Sequence, residues 1–127
     1  MQRKRTVQLL VTILFIVGGL GTALAHEDHE VHGTVTVQGE ILDLACYVAH
    51  QAKGPDHAGC AKTCVKGGQP MGLLAADGTV YLLYANHKDG SAFEAAKEYA
   101  GQKVEINGVA ANQAGIKGIE VNGVKPL

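Results

Sequence analysis

Tryptophan is absent from the 127 residues, and only four tyrosines and two phenylalanines stand in its place. Beyond Arg5 there is no basic stripe. Nucleic acid and anionic lipid surfaces both demand clustered positive charge, so neither fits as a partner. No stretch reaches the roughly 20 apolar residues of a membrane-spanning helix. No Ser-His-Asp order, phosphate-binding glycine loop or paired carboxylates stand out, which leaves hydrolases and transferases without visible apparatus. The motif C-x-x-C is missing as well, so the thioredoxin pattern and the attachment of c-type haem are both unmatched.

The first 25 residues carry an address. Arg3, Lys4 and Arg5 precede an apolar stretch from Val7 to Leu20, interrupted only by Gln8 and Thr12, and Ala23-Leu24-Ala25 ends it. A charged start, a short apolar middle and an A-x-A site describe a secretory signal peptide over residues 1–25. No cysteine follows to carry a lipid. The expected product is periplasmic or secreted, with no stable membrane anchor after cleavage. Of the 11 basic residues three lie in the signal, leaving eight against 12 acidic ones, a net charge of −4 with histidines neutral. The remaining length suits one domain.

Residues 26–33 are rich in histidine and acid and read as a mobile start. If cleavage follows Ala25, His26 becomes the terminal residue, where amine and imidazole together can chelate Cu(II). That arrangement resembles the N-terminal histidine of copper-dependent polysaccharide oxidases and of some periplasmic copper carriers. A histidine-rich tail of this kind is more often a weak scavenger or a solvated end.

From Thr34 the pattern turns to strand: Val35, Val37 and Ile41 share one parity, and Thr34, Thr36, Gln38 and Glu40 take the other. Gly39 interrupts the run and predicts a bulge or sharp coil, with the strand continuing to about Cys46. Residues 46–70 form an insert of different composition. In it Asp56 is expected to cap a helix over residues 57–66, which Gly67-Gly68 ends. Asp77-Gly78 between the apolar runs 71–76 and 79–85 predicts a hairpin in which both turn residues adopt positive φ. Ser91 and Glu94 form a capping box at the start of a second helix that Gly101 closes. Val104, Ile106 and Val109, with Gly108 letting the register shift, and then Ile116, Ile119 and Val121, make a last hairpin turning at Gly115.

Five antiparallel strands must bury one face, and closure removes their edges. The Gly39-interrupted first strand, the helix at Ser91–Ala100 between strands three and four, and the closing pattern 104–108 to 119–121 resemble the small exported OB-fold proteins of bacteria. The resemblance spans most of residues 34–124. It implies a mainly β fold: a five-stranded OB-like Greek-key barrel as a single domain over residues 34–127. A short helix lies in the insert between strands one and two, and another lies between strands three and four. It implies no function, since OB-folds host many unrelated ligands.

Function rests on an odd number. Cys46, Cys60 and Cys64 cannot all pair within one chain. On a helix, His57, Cys60 and Cys64 stand at i, i+3 and i+7, one narrow stripe. Cys46 at the end of the first strand can reach the same point. Three thiolates and an imidazole are a donor set for Zn²⁺, and three thiolates alone suit Cu(I). His50 is an alternative nitrogen donor and Met71 a soft thioether for copper. Asp43 is either a carboxylate orienting a ligand or an edge residue. Two competing readings use the same residues. Cys60, Ala61, Cys64 and Val65 also make a core face, with Cys46 bridged to Cys60 or Cys64 as a structural staple of a binding or scaffold domain. A thiol–disulfide redox protein would instead use a reactive Cys60 or Cys64. The expected function is a non-enzymatic periplasmic metal binder with Cys46, His57, Cys60 and Cys64 as ligands. Its partner would be a zinc or copper ion, or a periplasmic protein.

Overall fold

A computed structural model describes residues 33–127. The signal peptide at residues 1–25 and the histidine-rich segment through His32 lie outside the described residues. Five strands, β1 (Gly33–Asp43), β2 (Met71–Ala75), β3 (Val80–Ala85), β4 (Lys103–Gln113) and β5 (Ile116–Pro126), close into a barrel of order β1-β2-β3-β5-β4. The expectation of five antiparallel strands holds for every pair except β3 and β5, which run parallel because α3 and β4 intervene between them in the chain. Three helices accompany them: α1 (Leu44–His50) and α2 (Ala58–Lys66) between β1 and β2, and α3 (Ser91–Ala96) between β3 and β4. No helix among the described residues is long and apolar enough to cross a membrane.

Closure depends on β1, whose first eight residues pair with β4 and whose last five pair with β2. Gly39 belongs to both ladders. A Cβ there would stand 2.4 Å from the Leu74 carbonyl oxygen, so only glycine lets β2 approach as β1 coils from one neighbour to the other. Within the barrel, Ile41, Leu73, Leu83, Val104, Ile106, Ile119 and Val121 are buried. The alternation of residues 34–38 and the register shift at Asn107/Gly108 match the sequence pattern.

Four local details differ from expectation. Strand β1 stops at Asp43 instead of running to Cys46. The Asp43 carboxylate accepts hydrogen bonds from the backbone N–H of Ala45 (2.9 Å) and Cys46 (3.4 Å) and starts a helix. Asp56 caps nothing: Pro55–His57 is a 3₁₀ turn that leads directly into α2, so the chain is already turning when the helix begins. Only Gly78 of the Asp77-Gly78 pair has positive φ; Asp77 instead accepts from the Thr79 N–H. The Ser91–Glu94 capping box is absent. Asp89 accepts from the Ser91 N–H, and Glu94 pairs with Lys97 at 2.8 Å.

Candidate metal centre

Every donor in the centre is placed by the stretch between β1 and β2. Asp43 is the last strand residue and only 1% exposed. Cys46 lies one turn beyond it on α1, whose seven residues include no buried one. The helix is held at its start by the Asp43 cap and by the Leu44 N–H, which donates to the Pro70 carbonyl just before β2 (2.9 Å). It ends at Gln51, in the left-handed region at φ 55, whose N–H donates to Tyr47. The chain then returns through Gly54, whose N–H donates to the Glu40 carboxylate on β1.

Helix α2 is oriented by three of its sides. Ala61 and Val65, one turn apart, are buried against the barrel core. Its first residue rests on the backbone at Gly101, where a Cβ would meet the Ala58 Cα at 2.3 Å; φ +78 makes glycine doubly necessary. Glu98, on the 3₁₀ turn Lys97–Tyr99, accepts from Lys62 (2.9 Å) and Lys66. The two lysines hold the Glu98 carboxyl well below its ordinary range, at about 2. What remains of the helix surface carries His57, Cys60 and Cys64. Cys60 is exposed and Cys64 partly exposed, so the cysteines are not the core face that Ala61 and Val65 supply.

Two donor trios result, each with all its atoms within 4.8 Å of one another: Cys46, His57 and Cys60, and Asp43, Cys46 and Cys64. Cys46 belongs to both. Cys60 and Cys64 are 4.0 Å apart, sulfur to sulfur, so the three sulfurs lie pairwise within 4.8 Å. All three are free thiols. Of the four residues read from the stripe and the strand end, the three sulfurs converge, and His57 joins Cys46 and Cys60 in one trio but shares none with Cys64. His50, exposed at the end of α1, stands outside both trios, and Met71 is a core residue, 1% exposed. The residue that spacing undervalued is Asp43. Asp three residues before Cys46, ahead of a helix-compatible stretch, was a legible N-cap signal.

The electrostatics of the centre are unbalanced. Burial pushes the Asp43 carboxyl up, but the Cys46 thiol, the amides of Ala45 and Cys46 and the Cys64 thiol together hold it below the ordinary carboxylate value. The same carboxylate pushes Cys46 up to about 11, aided by desolvation and by the other two cysteines. Desolvation, the neighbouring Cys60 and Asp43 raise Cys64 as well. Among the described residues two side-chain polar atoms are buried without a hydrogen-bond partner, Asp43 Oδ2 and His57 Nε2. Such atoms cost free energy unless something satisfies them. Both belong to residues of the trios. Asp43 and the neighbouring thiols oppose ionisation of Cys46 and Cys64, and a metal ion bound there would remove that penalty.

Comparison with known proteins returns no match: no family model, no curated protein and no solved structure is similar to this chain.

Proposed function

We propose that the chain is an exported, periplasmic metal-binding protein. It holds zinc or copper through Cys46, His57, Cys60 and Cys64, and stores, senses or hands on the ion without catalysing a reaction. The observation that carries the reading is the convergence of the three sulfurs, pairwise within 4.8 Å, with the His57 imidazole in one of the trios they form. A tetrahedral ion with Zn–S bonds near 2.3 Å sets its sulfurs about 3.8 Å apart. The 4.0 Å between Cys60 and Cys64 needs little adjustment. The unpartnered His57 nitrogen and the exposure of Cys60 give the ion a donor and a route of entry.

The barrel that carries the centre is OB-like in this reading. Its strand order, the parallel β3–β5 contact and the helix between β3 and β4 support that reading. The helical insert between β1 and β2 is the addition that bears the metal ligands. Partners are the ion and a periplasmic protein that supplies or receives it; nucleic acid and a permanent membrane anchor have no place. Intact mass with thiol counting on protein from its native compartment tests the proposal. Three free thiols after metal removal and one equivalent of bound ion are expected. One free thiol and no metal would overturn it in favour of a Cys46–Cys60 or Cys46–Cys64 bridge.

A further inference from the structure

We propose that Asp43 is a ligand of the bound ion, and that its carboxylate makes the centre select a divalent cation of the zinc class over Cu(I). The inference rests on the metal-binding reading above and deepens it. Asp43 is 1% exposed, and one of its oxygens lies within 4.8 Å of both the Cys46 and Cys64 sulfurs. Oδ1 is occupied by the amides of Ala45 and Cys46, while Oδ2 is buried and has no hydrogen-bond partner. The Cys46 and Cys64 thiols that hydrogen-bond this carboxylate give up their protons on binding a metal, which leaves its lone pairs free for a cation.

The chemistry of the donors decides which cation. Thiolates accept both Cu(I) and Zn²⁺, but a carboxylate oxygen is a hard donor that Cu(I) does not seek and Zn²⁺ takes at about 2.0–2.2 Å. Charge points the same way. Asp43 and the three cysteines carry four negative charges when they bind a metal. A divalent ion leaves two uncompensated beside a buried residue, and a monovalent ion leaves three, which costs more in a poorly solvated place. His57 and Cys60 belong to the more exposed trio, so the ion meets them first and Asp43 lies at the inner end.

The cap makes the test clean. Asn starts helices as well as Asp does, so Asp43→Asn keeps the oxygen that holds α1 and replaces Oδ2 with an amide nitrogen that has no lone pair to give. Zn²⁺ and Cu(I) affinities of the full chain and of Asp43→Asn are measured separately, by competition with chromogenic chelators under anaerobic conditions. Circular dichroism verifies the fold, and Asp43→Ser serves as a second capping variant. The expected result is a loss of Zn²⁺ affinity of at least about tenfold with Cu(I) affinity unchanged. An equal loss for both ions, which a merely positioning carboxylate would give, overturns the proposal, as does no loss for either. If the parent chain binds neither ion, the metal-binding reading itself fails. If it binds zinc and Asp43→Asn binds zinc equally well, only the ligand role of Asp43 fails.

Discussion

Oδ1 of Asp43 holds the start of α1, Oδ2 is the oxygen proposed to take a cation, and the two roles separate by substitution. Oδ1 starts α1, and removing a cap of this kind costs about 1 kcal/mol. In metal-free protein, Asp43→Ala should therefore unfold at lower denaturant than the parent, while Asp43→Asn stays close to it. Equal losses in a urea titration would show that the cap does not hold the helix. The sequence carried much of this. Cys46, His57, Cys60 and Cys64 were legible because helical periodicity puts 57, 60 and 64 on one stripe whatever surrounds them. The role of Asp43 was obscured by the alternation of β1, which continues through Leu42 and Leu44 and made the strand seem to reach Cys46. Side-chain capping ended that alternation early, and a pattern of apolar residues does not register a carboxylate that competes for backbone amides.

Among the elements, α2 is the one whose placement matters most, and its supports are separable from its ligands. Gly101→Ala would introduce a Cβ against Ala58 at a residue with φ +78. A destabilisation exceeding about 1 kcal/mol is expected, together with weaker zinc binding as α2 is displaced, measured by thermal melts and chelator competition. Native stability with native affinity would mean that α2 does not depend on this contact. The Glu98 clamp gives a pH signature. Its folded-state carboxyl titrates at about 2 against an ordinary 4.5, so its stabilisation is fully present above 4.5 and is lost as pH falls through 2. The Glu98→Gln variant should lose less stability than the parent between those limits. The difference is small and shrinks with added salt, because both partners are about half exposed. A parent and variant with parallel melting curves from pH 6 to 2 would rule the clamp out. The position of α2 was readable from glycine and proline punctuation. The local starts were not, because Asp56 and Ser91 are good capping residues that lost to a 3₁₀ turn and to Asp89.

At the scale of the whole molecule the barrel and the insert have very different reserves. The strand runs were legible because each buries one face, and Gly39 marked the coil of β1. The exchange of neighbours at that residue was not legible, since it depends on where β2 comes to lie. Helix α1 was missed entirely, and the reason is physical: none of its residues is fully buried, so no apolar period announces it. Seven residues held by a cap and a few backbone bonds should open locally far more often than the barrel does. One of those residues is Cys46, the sulfur common to both trios. An ion gripping Cys46 from α1 and Cys60 and Cys64 from α2 would act as the missing core of α1. Amide exchange in metal-free protein should then be fast across Leu44–His50 and slow in β1 and β4. Saturating zinc should slow the helix by orders of magnitude and leave the strands as they were. Uniform protection before and after zinc would refute this picture. In it, a helix with no hydrophobic interior of its own exists in order only while its cargo is aboard.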